Sequence, residues 1–228
     1  MIGTIVNTVL VIVGSLAGML LRKGIPDNIK KIIMVGLGLF SCILGGKMGF
    51  EMNRPLVVVL SLILGGVIGE VLHVEEFLES IGEKLKRIVK AQGESSFAQG
   101  FVFASILFCV GPMTILGSIQ AGLQNRPELL FVKSLMDGVS SIILASTMGF
   151  GVIFSAVTVL VIQGGLTLLA RQFIFLTDPV YLNDFTSVGG IMIFAIGLRL
   201  MDVKSIKVSN FLPALVIVIL LTLFTTIL

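Results

Sequence analysis

Phe101-Val102-Phe103-Ala104-Ser105-Ile106-Leu107-Phe108-Cys109-Val110-Gly111-Pro112-Met113-Thr114-Ile115-Leu116-Gly117-Ser118 runs without a charged residue and is broken halfway by Gly111-Pro112. The apolar run predicts a membrane span, and the break predicts a site within it. In hydrocarbon no water satisfies a freed backbone carbonyl, so non-helical backbone at that depth persists only where protein buries it or where it lines a cavity. Many secondary transporters bind their substrates at such breaks. Proline removes a helical hydrogen bond and glycine adds permissive torsions, and Thr114, Ser118 and Gln120 follow on the same segment. A half-helix opening at Pro112 would turn its amide ends toward the midplane and favour an anionic group. The alternative is a proline kink satisfied by Ser105 or by a neighbouring helix.

The rest of the chain fits that setting. Apolar residues make up 56% of its 228 residues and charged residues 13%, where a soluble domain carries about 25% charge. Stretches of roughly 20 apolar residues cross a bilayer core as helices. Eight are expected: Ile2 to Leu21, Ile32 to Met48, Pro55 to Leu72, Phe97 to Leu123, Glu128 to Met148, Phe150 to Ala170, Phe185 to Met201 and Phe211 to Leu228. The fourth is broken and the fifth carries Lys133 and Asp137, so each either crosses fully or forms part of a re-entrant hairpin. No basic segment precedes the first stretch and no small-x-small cleavage signal follows it, which reads as a retained helix. The fold class is therefore all-α, a polytopic membrane bundle.

Charge sets an expected orientation. Loops after the odd-numbered spans carry Arg22, Lys23, Lys30, Lys31, Lys84, Lys86, Arg87, Lys90, Arg199, Lys204 and Lys207, against Lys47, Arg54, Arg126, Lys133 and Arg171 on the other side. The positive-inside rule then puts both termini outside the cytoplasm. The net charge of +3 needs no nucleic acid partner. Between spans three and four, residues 73–96 form a cytoplasmic segment. Within it Val74, Phe77, Leu78, Ile81, Leu85, Ile88 and Val89 mark one face of an amphipathic helix. Glu75, Glu76 and Glu79 at its start and Lys84, Lys86, Arg87 and Lys90 toward its end suit the helix dipole. It serves as an interfacial connector or as a docking surface.

An internal repeat organises the spans. Thr8-Val9-Leu10-Val11-Ile12-Val13-Gly14-Ser15-Leu16 resembles Thr158-Val159-Leu160-Val161-Ile162-Gln163-Gly164-Gly165-Leu166. Gly38, Gly45 and Lys47 then line up with Gly190, Gly197 and Arg199, and Pro55 with Pro213. An offset of five spans inverts the second copy, as in several transporter folds. The chain reads as one membrane domain: a three-helix unit at 1–72, the connector at 73–96, a central broken-helix pair at 97–148, and a second three-helix unit at 149–228. Chance similarity of apolar helices is the competing reading. Gly14 and Gly18, Gly45 and Gly49, and Gly65 and Gly69 permit close helix approach, expected to pack spans one to three together or to join copies into a homo-oligomer.

Asp137 is the sharpest candidate, because an ionised carboxylate in hydrocarbon is costly unless paired or solvated. Lys133 stands one turn before it, and Ser140 and Ser141 one turn after. Either Lys133 and Asp137 neutralise each other inside the bundle, or Asp137 binds a proton, a sodium ion or a cationic substrate group. Gln163, at mid-depth in span six, completes a polar pocket or serves as interhelical glue. No enzyme is indicated. There is no Gly-x-Ser-x-Gly elbow, no histidine to act as base, and no paired carboxylates at mid-depth. Cys42 and Cys109 are single and His73 ends a span, so neither a metal site nor a cofactor is suggested.

Leu107 to Ser118, the run Asp137-Gly138-Val139-Ser140-Ser141-Ile142-Ile143-Leu144-Ala145-Ser146-Thr147, Gly3-Thr4-Ile5-Val6-Asn7 and Asn210-Phe211-Leu212-Pro213-Ala214 together resemble the bacterial YqgA/YdfK family. The resemblance covers essentially the whole chain. It implies a multi-pass protein of the bacterial inner membrane and supplies no substrate. It also implies Gly-Ala-Met where this chain has Gly111-Pro112-Met113, so the proline is a local departure.

These readings converge on a secondary transporter or exchanger of a small polar or anionic solute, coupled to protons or sodium. Its binding residues are expected to be Gly111, Pro112, Thr114, Ser118, Asp137, Ser140, Ser141 and Gln163. The alternatives are a scaffold or sensor acting through the connector, and a passive channel.

Overall fold

The computed structural model describes residues 1–22, 26–80 and 97–227. Among them there are ten helices and no strand: α1 Ile2–Arg22, α2 Asp27–Gly49, α3 Pro55–Val71, α4 Val74–Ser80, α5 Phe97–Cys109, α6 Pro112–Leu123, α7 Glu128–Met148, α8 Ser155–Leu168, α9 Pro179–Leu200 and α10 Leu212–Ile227. Short 3-10 segments at Gly149–Phe154, Ile174–Thr177 and Val208–Phe211 join some of them.

Local chemistry sets several boundaries. Pro55, Pro112 and Pro179 open α3, α6 and α9, where the missing N–H costs nothing. Asp178 caps α9, its carboxylate accepting the Val180 N–H at 2.8 Å. Gly149 stands at φ 81° between α7 and the 3-10 segment, a torsion that favours glycine.

The pattern of exposure identifies the solvent. α1 turns Ile2, Ile5, Val9, Val13, Leu16 and Leu20 outward and buries Gly3, Thr4, Asn7, Gly14, Ser15 and Gly18. A helix facing water shows the reverse; small and polar residues inside, with apolar ones outside, mark a helix surrounded by lipid. The 21 residues of α1 rise about 31 Å, enough for the hydrocarbon core.

Among the described residues, five helical stretches are long and apolar enough to cross a membrane, or seven if two bent pairs each count as one span. The difference from the expected eight arises at Glu128–Leu168. This helical stretch of 41 residues contains both the fifth and the sixth expected spans, with the Gly149 break between them. The bent pairs are α3 with α4, at 55°, and α5 with α6, at 57°.

The helices form two compact units that do not follow chain order: Met1–Lys30 with Ser80–Thr177, and Lys31–Glu79 with Asp178–Leu228. In the first, α1 lies along α7. A Cβ at Gly14 would overlap the Gly138 carbonyl, and one at Gly18 the Ile142 carbonyl. α5 crosses the 149–154 segment, with Gly151 against the Phe97 carbonyl and the rings of Phe97 and Phe154 5.5 Å apart. α6 packs on α8 through Gly122 and the Thr167 carbonyl.

In the second unit, α2 packs on α9 and α3 on α10. A Cβ at Gly38 would lie 2.9 Å from the Gly197 carbonyl oxygen, and one at Gly197 2.7 Å from that of Gly38. Gly45 and Gly190 oppose each other in the same way, and Gly65 and Gly69 meet Ala214 and Asn210. The expectation that these glycines hold spans one to three in one bundle is therefore corrected. Each glycine pair seats its helix on one far along the chain, α7, α9 or α10.

Candidate functional site

The first unit contains a line of buried polar side chains. α1 supplies Thr4 and Asn7, α7 supplies Lys133 and Asp137, and α8 supplies Gln163 and Thr167, each pair one turn apart and so on one face. Asn7 stands at the centre. Its Nδ2 donates to Asp137 Oδ2 and to Gln163 Oε1, both at 2.9 Å. Lys133 Nζ donates to the same Asp137 oxygen, and lysine and aspartate are almost fully buried. On the other side Gln163 Nε2 donates to Thr4 Oγ1 at 3.3 Å, Thr4 and Thr167 hydroxyls lie 3.4 Å apart, and Thr167 Oγ1 donates back to the Gln163 carbonyl at 2.8 Å.

The helix break adjoins this line. Cys109, the last residue of α5, lies within electrostatic reach of both Lys133 and Asp137. The ladder of α5 ends with the Val110 N–H on the Ile106 carbonyl, and α6 begins with the Thr114 N–H on the Gly111 carbonyl at 3.0 Å. Thr114 Oγ1 closes the gap by donating to the Phe108 carbonyl at 3.0 Å. Ser105, considered for that task, instead shares a hydrogen bond with Thr158 at 3.0 Å. A Cβ on Gly111 would meet nothing within 4 Å. Ser118 Oγ and Asn7 Oδ1 are buried and have no hydrogen-bond partner among the described residues.

Of the expected binding residues, Asp137 and Gln163 are joined through Asn7. Gly111, Pro112, Thr114 and Ser118 sit at and after the break. Ser141 is spent locally, its hydroxyl donating to the Asp137 carbonyl at 2.7 Å, and Ser140 on the same helix is only partly buried. Asn7, Thr4 and Thr167 were missed as site residues. Asn7 carried a usable signal: an amide inside an apolar span faces protein rather than lipid.

Polar residues of the second unit cap helices. Asp184, fully buried, accepts the N–H groups of Asn53 and Arg54 at 2.9 and 3.0 Å where α3 begins. Glu75 accepts from Arg199 Nη1 at 2.6 Å and from the Ser209 N–H at 2.9 Å, near the start of α10. Glu75 was expected on the charged face of the connector; it is buried because it pairs with Arg199 and caps the 208–211 turn. Residues 74–80 of the expected amphipathic helix are helical, and its continuation over 81–96 lies outside the described residues. Nearby, Lys207 Nζ donates to Glu76 at 2.9 Å and Glu70 at 3.0 Å. The ammonium holds the exposed Glu76 carboxyl below its usual range, and the hydrogen bonds to Glu76 and Glu70 raise Lys207. No group of three His, Cys, Asp or Glu side chains suited to a metal occurs among the described residues.

Comparison with known proteins identifies relatives along nearly the whole chain. A family described as a protein of unknown function (DUF554) matches residues 2–223. The chain is 34% identical over 221 residues to the uncharacterized membrane protein YdfK of Bacillus subtilis (strain 168), covering 95% of this chain and 93% of that one. It is 30% identical over 220 residues to the uncharacterized protein YqgA of Escherichia coli (strain K12), covering 95% and 94%. No solved structure matches. With its outward apolar helix faces and this match along nearly its whole length, the chain is a helical membrane protein and belongs to the DUF554 family.

Proposed function

We propose that the protein is a secondary transporter or exchanger of a small polar or anionic solute, with the Asp137 network as its binding centre. The observation that carries this reading is the buried line from Lys133 and Asp137 through Asn7 to Gln163, beside a broken helix. Ionisable groups inside a membrane bundle mark ion and substrate pathways, and discontinuous helices commonly form transporter sites. Gly111, Pro112, Thr114 and Ser118 bring the start of α6, and an open Ser118 hydroxyl, to the solute. Ser140 and Ser141 flank Asp137.

The proposal includes an inverted repeat. Aligned glycines Gly38 with Gly190 and Gly45 with Gly197 make crossed contacts, Gly38 to Gly197 and Gly45 to Gly190, as two elements related by a two-fold axis do. In this proposal the protein spans the bacterial inner membrane with both termini outside the cytoplasm.

Flux tests the proposal. Purified protein in sealed lipid vesicles should accumulate a labelled solute against its gradient when a proton gradient is imposed, and Asp137→Asn, reconstituted from its folded fraction, should abolish accumulation. Linear, uncoupled flux would favour a channel. Normal accumulation by Asp137→Asn would remove Asp137 from the mechanism.

A further inference from the structure

We propose that Lys133 and Asp137 form a proton-linked anion site: a proton on Asp137 frees the Lys133 ammonium to hold the negative group of the solute. The inference rests on the transport reading and names its coupling ion and the charge of its cargo.

The argument begins with what faces the carboxylate. Asp137 Oδ2 receives two donors, Lys133 Nζ and Asn7 Nδ2. A sodium ion, like other hard cations, requires several oxygen ligands, and this carboxylate is surrounded by N–H groups instead. Gln163 Oε1 is occupied by Asn7, and Ser141 Oγ points its hydrogen at the Asp137 carbonyl. What the surroundings do accommodate is a proton on Oδ1, to which no described residue donates.

Charge bookkeeping then couples the two ligands. Of the elements packed on α7, α1 brings Asn7 to the pair and α5 brings Cys109, while α6 and the 149–154 segment carry no charged residue. The empty site holds Lys133⁺ and Asp137⁻ and is neutral. An anion entering alone would leave it negative, and a proton entering alone would leave it positive; either state strands a charge at low dielectric. Together they restore neutrality: the proton bonds to Asp137 Oδ1, the ammonium keeps its three hydrogens, and the anion replaces the carboxylate as its counter-ion. One proton on Asp137 accompanies each monovalent anion carried. Asn7 Oδ1, fully buried and without a partner among the described residues, is then the acceptor for a donor group on the solute.

The test uses nitrate and chloride as probes, whose single charge does not change with pH, with thermal unfolding of the protein in lipid nanodiscs at constant ionic strength. Wild type should show a saturable stabilisation whose apparent affinity rises about tenfold for each pH unit of acidification. Asp137→Asn, a stand-in for the protonated form, should bind the same anions at neutral pH with no dependence on pH. Lys133→Gln with Asp137→Asn should bind none. A pH-independent wild-type affinity, equal shifts in all three proteins, or a saturable sodium shift lost in Asp137→Asn would overturn the proposal. If Asp137→Asn does not fold, wild type against the double variant decides: no pH-linked anion shift in wild type refutes it. A linked shift without vesicle flux would overturn transport and leave the site standing. Flux without the linked shift would do the opposite.

Discussion

Asn7 and Asp137, 130 residues apart in the chain, meet at 2.9 Å, and the same amide nitrogen holds Gln163 at the same distance. One side chain thus fastens α1 to both α7 and α8. Hydrogen bonds inside membrane bundles average about 0.6 kcal/mol, whereas a stranded buried acceptor costs about 1–3 kcal/mol, so the second effect dominates. Asn7→Leu should destabilise the protein by about 1–3 kcal/mol, measured by unfolding in mixed micelles. Gln163→Leu added to it should restore part of the loss, since it removes the stranded carbonyl.

The Lys133 and Asp137 pair separates fold from function. Lys133→Met alone leaves a buried carboxylate unpaired and should cost about 3–5 kcal/mol. Lys133→Met with Asp137→Leu removes both charges and should return stability to within about 2 kcal/mol of wild type. The double variant should nevertheless show no flux in vesicles. Retained flux there would mean that the pair only packs.

Glycine substitutions should divide by what a Cβ meets. At Gly14, Gly18 and Gly69 it strikes a backbone carbonyl, and alanine there should cost about 1–3 kcal/mol by forcing helices apart. At Gly36 and Gly165 it meets nothing within 4 Å, and alanine should stabilise by about 0.5–1 kcal/mol through helix propensity. Unfolding midpoints of the five variants check this directly.

Asp184 is expected to hold the start of α3. Asp184→Ala loses two N–H acceptor contacts and should cost about 2 kcal/mol. Asp184→Asn retains the Oδ1 acceptor and should cost less. Hydrogen exchange at Asn53 and Arg54 reports the difference.

The Lys207 tie responds to pH at both ends of the scale. Glu76 is lowered in the folded protein, so its contribution is complete above its ordinary value of 4.5 and is lost as pH falls through the lower folded value. Lys207 is raised, so its contribution is complete below 10.5 and is lost as pH rises through the folded value. Between these limits the tie should be insensitive to pH and weakened by salt, because the groups are exposed. Nuclear magnetic resonance of the Lys207 ammonium across pH and ionic strength measures it.

Apolar run length and proline position made the helices and the break between α5 and α6 readable in advance, and one-turn spacing identified Lys133 with Asp137. Pairing partners were not readable. In lipid, outward and inward faces are both largely apolar, so periodicity does not show which helix a face seeks. Gly14 and Gly18 therefore suggested contacts among spans one to three or between copies, whereas they meet α7. Asn7 and Asp137 are local features whose meeting depends on long-range packing that no spacing encodes. Glu75 was misread for the same reason: its partner Arg199 lies 124 positions away.

If the proposed inverted repeat holds, the crossed glycine contacts between α2 and α9 have an ancestral reading. A helix that carries small residues at two points and meets an inverted copy of itself needs no second sequence to make that seam. A half-length forebear, inserted into the membrane in both directions, would assemble as a dimer through the same carbonyls. Fusing its two copies would leave each glycine facing the descendant of the other, as Gly38 faces Gly197 and Gly45 faces Gly190.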